Sequence, residues 1–160
     1  MQRFERIYEQ HRPAVQAYVR RRAPDHLVED VVAETFLVCL RRLDAVPEES
    51  LPWLYAVARK TLANQRRKLS RQVPAGALAA AEPQPTGDGT LAAAFSQLGE
   101  RDREVLRLVA WEGLSLREAA VVLGCSAVAC RVRFHRAKVR LADRLERGAS
   151  FRPEPKGVTR

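Results

Sequence analysis

Arg131, Arg133, His135, Arg136 and Lys138 crowd into eight consecutive positions of this 160-residue chain. Cations at that density can hold phosphate oxygens, and an Arg can also bind a guanine edge through two hydrogen bonds. Arg131 and His135 are four apart, as are Val132 and Arg136, which puts all four on the exposed side of one helix. A second constellation is Asp30 with Glu34, again at helical spacing. Paired carboxylates can hold Mg²⁺ in phosphoryl chemistry, but no third ligand accompanies them. A third is Trp53 and Tyr55 beside the acid-free run Arg59, Lys60, Arg66, Arg67, Lys68 and Arg71. Flat rings next to cations suit single-stranded nucleic acid. Trp53 also shares a helical face with Leu54, Val57, Ala58 and Leu62, so a core role fits it equally. No nucleophile stands with a base, so the chain is not expected to be an enzyme.

The basic cluster needs a support, and the preceding residues supply one. Ser115 with Glu118 three positions later forms a capping box that opens a helix. Gly124 suits the left-handed end of that helix, and Ser126 can cap the next. Ala120 is small where two crossing helices must approach. In the second helix Cys130, Phe134, Ala137, Leu141 and Leu145 form one apolar stripe. Residues 127–147 hold seven Lys/Arg against two acids, whereas 90–126 hold four against five, so the charge belongs to one helix. A capped helix, a Gly turn and a basic helix together read as a helix-turn-helix directed at duplex DNA.

Upstream, Asp25, Glu29, Asp30 and Glu34 form an acidic stretch, with Val28, Val32, Phe36, Cys39, Leu40 and Leu43 as its expected core stripe. Leu37 and Val38 fall off that stripe. The acidic face reads either as a protein-docking surface or as a solvated one. Asp44 to Ser50, polar and containing Pro47, is expected as an exposed loop before the helical pattern restarts at Leu51.

Composition agrees with a polyanionic partner: the net charge is +9, from 24 Arg and 4 Lys against 19 acids. Cys39, Cys125 and Cys130 form neither a disulfide framework nor a metal-ligand pattern, so no cofactor is expected. No segment reaches the roughly 18 apolar residues of a membrane span. A cytoplasmic protein without membrane insertion is expected. Helical periodicity fills 1–70 and 90–147, and no strand pattern of useful length occurs. Between them lies a Pro- and Gly-containing stretch. The expected architecture is all-α, with helical domains at 1–71 and 90–147. A flexible linker at 72–89 joins them without fixing their geometry, and 148–160 is expected as a disordered tail.

The chain resembles bacterial extracytoplasmic function (ECF) sigma factors over nearly all of its length outside linker and tail. Phe4-Glu5-Arg6-Ile7-Tyr8 with His11 and Arg12 resembles the family's opening helix. Val28 to Leu37, then Leu51 to Arg59, resembles its polymerase-binding and promoter-melting region, and Leu114 to Leu141 its helix-turn-helix. The resemblance implies a sigma-2-like and a sigma-4-like domain that bind core RNA polymerase and direct promoter recognition and melting. It places Asp30, Glu34, Thr35 and Phe36 on the helix that docks on the clamp helices of the largest polymerase subunit. It makes Asp44 to Ser50, with Glu48 and Glu49, the loop that captures a flipped base of the nearer (minus-10) promoter element. Asn64, Arg66 and Arg67 lie against the opening duplex, and Arg131, Val132, His135 and Arg136 face the farther (minus-35) element. An anti-sigma partner is also implied. Cys130 stands where Val is usual and Val132 where Ser is common. The alternative is a stand-alone helix-turn-helix regulator, which leaves the acidic helix and the loop before Trp53 without a purpose.

Overall fold

A computed structural model describes residues 1–72 and 89–150. Within them the chain forms seven α-helices and no strand: α1 (Gln2–Arg20), α2 (Asp25–Arg41), α3 (Ser50–Gln72), α4 (Gly89–Ser96), α5 (Glu100–Ala110), α6 (Leu116–Leu123) and α7 (Ala127–Ser150). A short 3-10 turn, Leu43–Ala45, stands between α2 and α3. Most of the expected linker, and the tail from residue 151, lie outside the described residues. The tail's first part is corrected: α7 continues through residues 148–150.

Helices α1, α2 and α3 pack together, and α4 to α7 form a second group in which α5 and α6 both lie on α7. In α2 the buried residues are Val28, Val31, Val32, Thr35, Phe36 and Cys39. They follow a 3.6-residue period, and Leu40 falls about 100° past Cys39 on a continuous helix. Leu40 is accordingly 41% exposed and does not belong to the expected stripe. Tyr55 is a further correction. It is buried and stacked on Tyr18 with ring centroids 4.6 Å apart, so it cannot serve as a platform for bases.

The helix-turn-helix forms as its local sequence dictates. The Ser115 Oγ accepts from Glu118 N at 3.2 Å while the Glu118 carboxylate accepts from Ser115 N at 2.7 Å. Gly124 is left-handed (φ 66°), and Cys125 N donates to Ala120 O, closing α6 with a Schellman-type end. The Ser126 hydroxyl then accepts from Ala129 N at 3.1 Å to start α7. Cys125 and Cys130 flank this cap at the positions of a hydrophobic staple, with Cys130 fully buried. Burial pushes the Cys130 thiol above its ordinary range, and the neighbouring Cys125 adds to this.

The two helical groups also pack on each other, which the expectation of an unfixed geometry did not include. Helix α3 lies along α6, and a buried ionic cluster joins the end of α1 to α5 and the turn after it. Arg22 Nε contacts Glu104 at 3.1 Å and its Nη1 contacts Glu112 at 2.9 Å. The Tyr18 hydroxyl donates to Glu104 at 3.4 Å, and Arg21 adds a second contact to Glu112 at 2.9 Å. Burial opposes the charge on Arg22, but Tyr18 and the two glutamates outweigh it and keep the guanidinium protonated. The Arg22 guanidinium also lies 3.7 Å from the Tyr18 ring centroid. Such a cluster gives little net stability, but removing one partner while the others stay buried is costly.

Candidate nucleic-acid interface

Two exposed surfaces gather most of the sequence-selected residues. The first is an open groove of about 1020 Å³ between α2 and α3. Asp30 and Glu34 line its α2 wall, with Leu37 and Val38 beside them. Trp53, Lys60, Asn64 and Lys68 line the α3 wall, and Arg41 and Arg42 close the end near the loop. The groove is therefore bipolar, with carboxylates on one wall and cations on the other. Trp53 is half-buried and lines this groove.

Thr35 and Phe36 do not reach this surface. The Thr35 hydroxyl is fully buried and donates to Val31 O at 2.7 Å, while Phe36 meets Tyr8 edge-on at 4.8 Å. They pack inward, leaving Asp30, exposed, and Glu34, half-buried, as the acids of α2 that line the groove. Glu29, the other acid of this stretch, is engaged by Gln16 at 2.7 Å and Arg12 at 3.5 Å.

The loop between α2 and α3 is less free than its composition suggests. Asp44 sits in the 3-10 turn, Val46 is buried, and Ser50 is buried at the first turn of α3. Asp44, Pro47, Glu48 and Glu49 remain exposed. Beneath them Arg3 donates to Leu43 O at 2.7 Å and to Val46 O at 2.5 Å. This anchor lies 40 and 43 residues upstream of the carbonyls it holds, and no local pattern marks it.

The second surface is the outer side of α7. Arg131, Val132, His135, Arg136 and Lys138 are all exposed, opposite the fully buried Cys130 and Ala137. The Lys138 ammonium rests 5.0 Å from the Phe134 ring centroid. Further along, Arg140 pairs with Asp102 at 2.6 Å and Arg144 with Gln97 at 3.1 Å, tying the helix to its neighbours.

Arg66 and Arg67, both exposed, and Arg133, half-buried, lie apart from these two surfaces. Together with Asn64 they line a cleft of about 560 Å³ between the two helical groups, beside Tyr18, Arg22 and Glu104. Arg66 donates to Arg22 O at 2.8 Å, and Arg67 donates to the Asn64 side chain at 2.8 Å.

Comparison with known proteins decides what this arrangement belongs to. Residues 7–72 match the profile of sigma-70 region 2, and residues 89–141 that of sigma-70 region 4. The chain is 38% identical over 144 residues to the ECF RNA polymerase sigma factor SigF of Caulobacter vibrioides, covering 83% of this chain and 80% of that one. The chain belongs to the sigma-70 family, as an ECF sigma factor. CarQ of Myxococcus xanthus, an RNA polymerase sigma factor, is 31% identical over 89% of this sigma factor and 88% of its own length. Among solved structures, the sigma factor RpoE of Bartonella quintana, determined with the anti-sigma factor NepR, superimposes with a TM-score of 0.66. That match covers 91% of this chain and 98% of RpoE at 23% identity, and it shows the shared fold. CnrH, solved with the cytosolic domain of CnrY, gives a TM-score of 0.63 at 26% identity, covering 90% and 88%. The family places this sigma factor in bacterial transcription initiation. Among its described residues no helix is long and apolar enough to cross a membrane.

Proposed function

We propose that this sigma factor binds core RNA polymerase through the Asp30–Glu34 wall of the α2–α3 groove and reads a two-element promoter. In this reading residues 1–71 are the polymerase-binding and melting unit, 90–147 the helix-turn-helix unit, and 72–89 their connection. The exposed residues of the 44–50 loop receive an extruded base of the nearer element. Trp53, Lys60 and Lys68 accompany the separated strand along the groove, which combines an aromatic face with cations. Helix α7 enters the major groove of the farther element with Arg131, His135 and Arg136 outward. Polymerase supplies the chemistry, and this chain supplies recognition.

The observation that carries the reading is the division of labour between the two open surfaces. A bipolar groove suits protein docking and single strands, while an exposed basic helix in a capped helix-turn-helix suits duplex. The cleft that holds Asn64, Arg66, Arg67 and Arg133 adds a requirement. Arg66 and Arg67 of α3 share it with Arg133 of α7, while Arg131, His135 and Arg136 face outward, so the two helical groups must part for Arg133 to join them and for the two units to reach separated promoter elements. The anti-sigma complexes of related proteins support a partner that acts on this chain too, one that favours a form in which both surfaces are closed to polymerase and DNA.

Reconstitution with core polymerase tests the proposal. The holoenzyme should protect two separated promoter segments from cleavage and render thymines near the start site reactive to permanganate. Equally tight and selective duplex binding by the chain without polymerase would instead indicate a free-standing regulator.

A further inference from the structure

The outer face of α7 is not uniformly basic. Val128, Val132 and Val139 are 70%, 44% and 48% exposed, on a helix otherwise rich in solvent-facing charge. At about 100° per residue these three positions fall within roughly 40° of one another, diametrically opposite Cys130 and Ala137. His135 joins the same strip. Arg131 and Lys138 border it on one side and Arg136 on the other. The centre of the exposed face is thus an apolar line with cations along both edges.

That layout has a chemical match. The major groove of B-DNA is about 12 Å wide, close to the 10–12 Å diameter of a helix with its side chains. A helix lying in it turns its central strip to the base edges and its two borders toward the phosphate walls. The apolar group on that floor is the thymine C5-methyl. Valine is stiff at its first torsion and loses little freedom on contact, so it suits a methyl-sized target. Val128 and Val132 belong to the first two turns of α7, and the leading turns of a recognition helix are the part that meets base edges. Val139 lies farther along, near the region where Arg140 and Arg144 are tied to Asp102 and Gln97.

We infer that Val128 and Val132 form a thymine-methyl reading strip, so that the farther promoter element carries thymine, on either strand, at the positions these residues face. The flanking Arg131 and Arg136 hold phosphates or guanine edges to either side. The inference rests on the proposed function and names the base feature that α7 recognises. A partner protein's apolar helix is the competing occupant of such a strip. The cations on both borders favour the polyanion.

The test uses holoenzyme assembled from the full chain and core polymerase. A promoter pool randomised in the farther element is selected for binding, and each selected thymine is then replaced singly by deoxyuridine, which removes the methyl alone. Burial of one methyl corresponds to about fourfold in affinity, so binding should weaken by about that factor at one or two positions. In holoenzyme carrying Val128→Ala or Val132→Ala the penalty at the matching position should vanish, whereas Val139→Ala should leave it in place. These residues are exposed in the interior of a helix, where Ala is well tolerated. A selected element whose thymines all tolerate deoxyuridine, or a penalty that survives both substitutions, overturns the inference while leaving promoter reading intact. Failure of the pool to yield any preferred sequence overturns the proposed function itself. Loss of binding to another protein in the valine variants, with DNA binding unchanged, assigns the strip to the competing occupant.

Discussion

Helices α3 and α7 are both long, amphipathic and basic along one side, yet they use their cations differently. In α3, Arg66 donates to the Arg22 carbonyl across the contact between the groups and Arg67 to the Asn64 side chain of its own helix, while both side chains remain exposed. In the first three turns of α7, Arg131, Arg136 and Lys138 face outward. Its inner side packs on the neighbouring helices through Cys130 and Ala137, and farther along Arg140 and Arg144 bond to Asp102 and Gln97. A count of Lys and Arg gives the two helices similar rank. Geometry separates them: α7 presents Arg131, Arg136 and Lys138 on an open face, whereas Arg66 of α3 bridges to the turn after α1 and so responds to how the two helical groups sit.

The largest test would erase that difference. Arg22→Ala leaves Glu104 without its cation and Glu112 with Arg21 alone, and breaking such a buried pair costs about 3–5 kcal/mol while the acids stay buried. The chain should escape that cost by separating its two groups, which brings water to both glutamates. Solution X-ray scattering should then show a larger radius of gyration, with helical circular dichroism unchanged. An unaltered radius would mean that the α3–α6 packing suffices without the ionic cluster.

A second test asks whether the acidic wall facing α3 has a role that nothing beside α7 shares. Asp30→Lys with Glu34→Lys should weaken capture of core polymerase about a hundredfold or more, since juxtaposed like charges cost several kcal/mol. Duplex binding by the helix-turn-helix should be unaffected. Full recovery of polymerase by the variant would move the docking surface elsewhere.

The comparison sharpens further with single arginines. Arg136→Ala should cost about 1–3 kcal/mol at the farther element if the side chain is base-directed, and should relax sequence preference there. Arg66→Ala should weaken promoter binding nearly uniformly across sequences and lower the salt dependence of binding by about one unit of slope. Binding isotherms over a series of salt concentrations distinguish the two patterns. An exchange of the two outcomes would reverse the roles assigned here.

The smallest expected effect lies in the tyrosine stack beneath α3. Burial, reinforced by Glu112, pushes Tyr55 up to about 12, and burial also raises Tyr18. An unfolded tyrosine releases its proton near pH 10. The folded chain still holds both protons there, so this contribution to stability is complete below pH 10. It is lost as pH rises from there toward about 12. Near-ultraviolet phenolate absorbance and helical circular dichroism followed together should change in one step above pH 10. Nothing comparable is expected from α7, which carries no tyrosine.

What could be read from the chain follows the range of the forces involved. Ser115, Glu118, Gly124 and Ser126 set the helix-turn-helix through contacts a few residues long, and each makes the bond its position suggests. The α7 stripe was legible because a long helix keeps a strict period. The Arg22 cluster was not, since Glu104 and Glu112 lie 82 and 90 residues away and read as ordinary surface charge. Tyr55 misled for a related reason: its neighbours in sequence are cations, but its neighbour in space is Tyr18. At the candidate site the exposed acids and basic helix were visible, while the Arg3 anchor under the loop and the Val128 strip were not. A lone Arg near a terminus and an isolated Val carry no pattern until folding sets them beside their partners.

The α3–α6 contact and the Arg22 cluster finally turn affinity into a matter of populations. If the two groups are parted in only a fraction of molecules, every ligand that needs them apart binds more weakly by that same fraction. A closed form favoured by 99 to 1 would weaken apparent promoter affinity about a hundredfold without touching any residue that meets DNA. In the proposed reading, a polymerase that selected the parted form would recover that factor, and a molecule that clasped the closed form would withhold it. Substitutions at Arg22, Glu104 or Glu112 would then act as a volume control on transcription, shifting its level at every promoter alike.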